Sequence, residues 1–175
     1  ARNLQRSVLK RCQWPSLYWA QIRLLNLRTQ EEEYQWCAFI LPHEYLEVLA
    51  RLGDPEVLLA RGGLDPCTLE HLVSCEGEAG EQLLPVGLWG DGVPVNWDRT
   101  ESVETFSMHL PGQDGEYKSL RLPLTAISRK QVSTNTWYDI MSVFRWSFTQ
   151  CGAGNLPLTR HDGSALLQSD KHRKG

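Results

Sequence analysis

Asp91 stands between Gly90 and Gly92, directly after the apolar run Leu83–Trp89. Glycines hold the backbone open because they lack Cβ, so a carboxylate between them can project at a strand end. Mg²⁺ prefers hard oxygen ligands and often takes only one or two protein carboxylates beside waters and substrate phosphates, so such an Asp can be half of a metal site. A Gly-Asp-Gly triplet is equally an ordinary turn. His161-Asp162-Gly163 offers a second pair in a Gly- and Pro-rich loop that begins at Gly152. It could orient a substrate or join the metal shell, or Asp162 could simply form an Asx turn. Cys67, His71 and Cys75 share one helix face at i, i+4 and i+8. Structural zinc takes four ligands, usually with Cys-x₂₋₄-Cys spacing. No fourth candidate is near, and the stripe reads better as a buried helix face.

No nucleophile elbow, Walker loop or dinucleotide fingerprint occurs, so acyl transfer, nucleotide hydrolysis and hydride transfer have no support. The seven Trp could stack nucleobases, but most lie in apolar runs and read as core. Hydrophobic residues at 41% and charged residues at 22% match a folded globular chain. The longest apolar runs fall far short of the roughly 20 residues that cross a bilayer, and no signal peptide opens the chain. Five scattered cysteines without a CxxC pair suit a reducing compartment, which predicts an intracellular protein. The start at Ala1 and the stop at Gly175 inside Lys171-His172-Arg173-Lys174 read as the ends of a piece of something longer.

The net charge of −3 hides an asymmetry. Six bases and no acid precede Glu31, whereas Glu31–Glu81 holds twelve acids against Arg51 and Arg61. The arm carrying Arg2, Arg6, Lys10 and Arg11 could contact DNA phosphates, while the acidic middle would repel them. A solvated basic helix face explains the same residues.

The elements follow from periodicity. Ser16–Arg28 repeats Leu17, Ala20, Leu24 and Leu27 at helical spacing, with Pro15 at the entry. Tyr34–Leu41 reads as a short strand, His43–Leu52 as a helix closed by Gly53, and Asp65–Ser74 as a helix capped by Asp65 with Pro66 in first position. Glu76–Glu81 reads as a linker. Three strands follow at Leu83–Trp89, Ser102–Leu110 and Leu120–Ile127, the last broken by Pro123 and the last two joined by the turn Pro111–Gly115. Asn135 then caps a helix to Gln150 with Trp137, Ile140, Met141, Phe144, Phe148 and Cys151 as its buried stripe. The chain is therefore expected to be α+β. A mostly helical region 1–82 with a basic arm precedes a β-β-β-α segment, 83–175, whose three strands form an antiparallel sheet.

The string Gly87–Val95, then Asp98–Ser102, Arg160-His161-Asp162-Gly163 and Ser169-Asp170, resembles a large set of mobile-element-derived proteins abundant in dinoflagellate genomes. Leu41-Pro42-His43-Glu44 is similar to that set as well. Those proteins resemble transposases with an RNase H-like core, in which the first catalytic Asp lies on the first of three antiparallel strands preceding a helix. The resemblance implies that Asp91 is a catalytic metal ligand, that Mg²⁺ or Mn²⁺ is the cofactor, and that DNA is the partner in the nucleus; Asp162 is not carried over from it and stays a metal-shell candidate on its loop alone. It also implies an amino-terminal half of such a core, because the pattern continues past Gly175 with a second Gly-Asp strand and a Cys-rich segment. Ala165-Leu166 stands where the pattern has Pro-Trp after His-Asp-Gly. Phosphoryl transfer by such cores uses two metal ions clamped by several acids, so this chain alone would lack an intact site. A non-catalytic nucleic-acid or protein-binding module is the alternative, with Asp91 only shaping a turn.

Overall fold

A computed structural model describes residues 14–52, 58–98, 100–113 and 121–173. The basic arm and part of the turn at 114–115 lie outside these. The order is β1 (Tyr18–Leu25), β2 (Glu32–Phe39), α1 (Pro42–Leu52), α2 (Pro66–Ala79), β3 (Gly87–Pro94), β4 (Ser102–His109), β5 (Leu122–Ser128) and α3 (Thr136–Ala153). Among the described residues, no helix is long and apolar enough to cross a membrane.

Ser16–Arg28 is not a helix. Tyr18, Ala20, Ile22 and Leu24 alternate with more exposed neighbours, and β1 pairs antiparallel with β2 from Tyr18↔Phe39 to Leu25↔Glu32. The two-residue period decides the outcome, because it buries four apolar side chains on one face while Leu17 and Trp19 stay exposed. The hairpin closes through Asn26, whose Oδ1 accepts from the N–H of Arg28 at 2.9 Å and of Thr29 at 3.3 Å.

The antiparallel sheet β3-β4-β5 forms as the alternation required. A bulge between Phe106 and Ser107 shifts its register beside Pro123. The hairpin β1-β2 adjoins it, since the Ile40 N–H donates to the Leu124 carbonyl at 2.7 Å and the Thr125 hydroxyl to the Ala38 carbonyl at 2.8 Å. The strands thus lie in the order β1, β2, β5, β4, β3. One core serves both halves of the chain, joining Tyr18, Ile22, Phe39, Leu41 and Tyr45 to Phe106, Met108, Leu124, Ile140, Val143 and Phe144. α3 turns Thr136, Ile140, Val143, Phe144 and Ser147 inward. The inward face is therefore rotated from the expected stripe, and Trp137 and Met141 remain partly exposed. Asn135 precedes α3 but makes no cap bond; its amide donates to Glu32 Oε2 at 2.9 Å instead.

α2 begins as expected, with Asp65 accepting from the Thr68 N–H at 3.1 Å and Pro66 in its first turn. It runs on through most of the expected linker to Ala79 and closes at left-handed Gly80. Glu76 explains the extension, because it accepts Arg61 Nη1 at 2.8 Å and the Leu83 N–H at 2.8 Å and so ties the last turns down. Leu72 is the buried residue of this helix. The Cys67/His71/Cys75 stripe is not a buried face: Cys67 and His71 are exposed, and Cys75 Sγ lies 3.6 Å from His71 Nε2.

Candidate functional site

The expected strand end at Asp91 is a strand middle. β3 continues through Gly92, Val93 and Pro94 because all three pair with β4, and Asp91 lies opposite Thr105. The turn comes later, where Asn96 Oδ1 accepts from the Glu101 N–H at 3.1 Å and Asp98 Oδ1 from the Thr100 N–H at 3.2 Å. Gly90 is needed for space, not for turning: a Cβ there would stand 3.0 Å from Cε1 of the Phe106 ring that lies against its backbone. Gly90 and Phe106 thus share the core face, and Asp91 points to the opposite one. There it is exposed and meets no cation among the described residues.

Asp162 lies elsewhere, beside β1. A polar cleft of about 330 Å³ is lined by Gln21, Tyr34, Asp139, Ser142, His161 and Asp162. Asp162 Oδ1 accepts from the Ser164 N–H at 3.0 Å and from its hydroxyl at 2.6 Å, the Asx arrangement that shapes this loop. Burial would raise its carboxyl, but the Ser164 bonds and the His161 charge hold it below the usual range. His161 Nδ1 lies 2.7 Å from the Tyr18 hydroxyl. Burial lowers the His161 pKa, Arg160 adding to the effect and Asp162 opposing it. Asp139 is engaged by Arg23 at 2.9 and 2.5 Å and by the Arg23 backbone N–H at 2.8 Å. Burial alone would raise Asp139, but these three contacts keep its carboxyl low.

Asp91 lies on the outer strand of the three-stranded sheet and Asp162 beside the β1-β2 hairpin, so the structure does not bring the two expected metal ligands together. Among the described residues, no three His, Cys, Asp or Glu side chains are grouped to hold a metal ion. The donor set therefore does not amount to a metal centre, and Asp91 offers one free carboxylate.

The remaining motif pieces do converge, and their meeting point is a buried charge cluster. Arg160 pairs with Asp170 and donates to the Trp19 carbonyl; Arg173 pairs with Glu44 and approaches Asp170 at 3.3 Å. Arg160, Asp170 and Arg173 are 4%, 2% and 3% exposed. The Arg160 guanidinium lies 4.5 Å from the Tyr18 ring centroid, and Tyr18 stacks on Trp146. Burial pushes the Tyr18 hydroxyl up to about 12 and raises the Glu44 carboxyl against the opposing pull of Arg173. These residues clamp the segment after α3 onto β1. The alternation of β1 could have revealed Tyr18; nothing in the sequence signals the Arg173–Glu44 pair.

His43 begins α1 and borders a larger, mainly apolar groove of about 1500 Å³ between α1, α2 and the start of β3. Its Nδ1 lies 2.8 Å from the Ser147 hydroxyl, while buried Nε2 meets no hydrogen-bond partner among the described residues and the ring stands edge-on to Trp146. Burial first, and then the Arg173 charge, lowers its pKa to about 4.

The sheet face away from the core is open. Trp19, Tyr34 and Trp36 on the hairpin, and Trp89 on β3, are each about half exposed or more, contrary to the expectation that most Trp are core. Cross-strand register sets Trp36 opposite Gln21 and Tyr34 opposite Arg23, so rings from both strands share one surface. No protein-family model, curated protein or solved structure matches the chain.

Proposed function

We propose that the chain forms the amino-terminal part of a transposase-like, metal-dependent strand-transfer or nuclease core and cleaves no DNA by itself. One observation carries the reading: Asp91 sits on the first strand of a β-β-β-α unit with its carboxylate solvated and without a cationic partner among the described residues. The unit's order supports it, and the dispersed acids support the second half of the statement, because phosphoryl transfer needs charge concentrated where two oxygens exchange. The residues described do not form a metal centre, so Asp91 is assigned one ligand position and the other ligands are assigned to residues beyond those described. The arm with Arg2, Arg6, Lys10 and Arg11 would add salt-sensitive contact to DNA phosphates, and nuclear residence would follow from that partner.

The open aromatic face favours a second reading, a non-catalytic binding module. Exposed Trp and Tyr make large, rigid contact surfaces for proteins and stacking platforms for unpaired bases. Asp91→Asn separates the readings. In a longer protein containing this chain, the substitution abolishes Mg²⁺- or Mn²⁺-dependent cleavage under the first reading while changing fold stability by no more than about 0.5 kcal/mol, as for other exposed sites. A fully active Asn variant would refute the assignment and leave the binding module in front.

A further inference from the structure

β3 is the outer strand of its sheet, and no described residue pairs with its free edge. The direction of its backbone groups follows from one bond. The Val95 N–H donates to the Glu101 carbonyl at 3.0 Å, in register with the ladder, so residues in phase with Val95 bond to β4. Asp91 agrees, because its carbonyl accepts the Thr105 hydroxyl at 3.1 Å. Leu88, Gly90 and Gly92 therefore point their N–H and C=O groups away from the sheet. Two of these three positions carry no Cβ, which lets another backbone approach closely. The flanking side chains, Trp89, Asp91 and Val93, are exposed. An edge with no Lys, no bulge and exposed apolar residues is a template for strand pairing.

We infer that two copies of this chain associate through β3, antiparallel about a two-fold axis at Gly90, to make one continuous sheet. The strand is self-complementary in that register. Leu88 falls opposite the partner's Gly92, Gly90 opposite the partner's Gly90, and Trp89 opposite the partner's Asp91. Charge complements shape, because the Arg121 guanidinium already lies 5.4 Å from the Trp89 ring centroid and so stands beside the incoming carboxylate. Other registers are poorer. An axis at Asp91 sets two carboxylates face to face, which is destabilising. An axis at Gly92 sets Gly90 against Pro94, which has no N–H to give. An axis at Trp89 pushes Gly92 opposite Val86, outside the strand. In the pair each Asp91 carboxylate, still on the open face, lies beside the partner's Arg121.

Sedimentation equilibrium tests the idea on the whole chain. The expected mass rises with concentration from 20.0 kDa toward twice that value. Leu88→Pro removes an outward N–H in each copy without touching the β4 ladder, and it weakens association by about tenfold or more. Arg121→Glu, an exposed substitution that sets like charges together, weakens it as well and serves if the Pro variant fails to fold. Cysteines report the register: mixing Trp89→Cys with Asp91→Cys chains under oxidation yields a disulfide between positions 89 and 91, mapped by mass spectrometry. Overturning results are a chain that stays monomeric at every soluble concentration, an association unchanged by Arg121→Glu, or Trp89→Cys chains that link to themselves instead of to Asp91→Cys.

Discussion

Asp170→Asn probes the clamp that holds the segment after α3 in place. Asp170 gives one oxygen to Arg160 and to the Leu167 N–H at 3.2 Å, and the other to Arg173 at 3.3 Å. With Glu44, the cluster holds two cations and two anions almost out of contact with water. The amide keeps the shape but leaves two buried guanidinium groups facing one carboxylate. Removing one partner of a buried ion pair costs about 3–5 kcal/mol, since the remaining charge keeps its desolvation penalty without its compensation. That is a large part of the about 5–15 kcal/mol that holds a typical domain together. At about 2–4 °C per kcal/mol for a chain of this size, the melting temperature should fall by about 6–20 °C. Thermal and urea unfolding, read by tryptophan fluorescence and circular dichroism, measure it. Asp162→Asn is the control, because an exposed Asx-turn residue has no buried charge to orphan. A drop below about 2 °C for Asp170→Asn would mean that water reaches these charges, and the clamp argument would fail.

The other predictions are narrower. The His43 imidazole, lowered from 6.5 to about 4, stays neutral in the folded chain while the unfolded chain takes up a proton below pH 6.5. Its contribution is therefore intact above pH 6.5 and is lost as pH falls toward 4, on the order of 3 kcal/mol across the window. His43→Gln should flatten that part of the stability profile, and an unchanged slope would refute it. Asp139→Ala frees both the Arg23 side chain and its N–H, so it should lower the melting temperature and speed hydrogen exchange at the Arg23 amide. DNA binding through Arg2, Arg6, Lys10 and Arg11 should show a log–log salt slope of about −3.6 for four phosphates, near zero once all four are Ala.

Much of the chain from Asp65 onward was legible because local signals agreed there. Ser102–His109 alternates, Pro123 marks the irregular partner strand, and Asp65 with Pro66 opens a helix as capping chemistry requires. The α+β class and the strand, strand, strand, helix order follow from such patterns alone. Ser16–Arg28 shows where they run out. Its apolar residues satisfy both a helical and a two-residue period, and only β2 and the face of α3 select the second by burying Tyr18, Ala20, Ile22 and Leu24 together. The same holds for the site. Asp91 could be singled out from its glycines, but whether Gly90 turns the chain or makes room for Phe106 depends on a strand more than ten residues away. Arg160, Asp170 and Glu44 stand in separate motif pieces, but nothing in the sequence pairs them with one another or with Arg173. Their pairing spans up to 129 positions and comes from packing the final segment against β1 and α1. Local propensity is carried by neighbours along the chain and can be read from it, whereas burial and charge pairing belong to residues that meet only once the chain has folded.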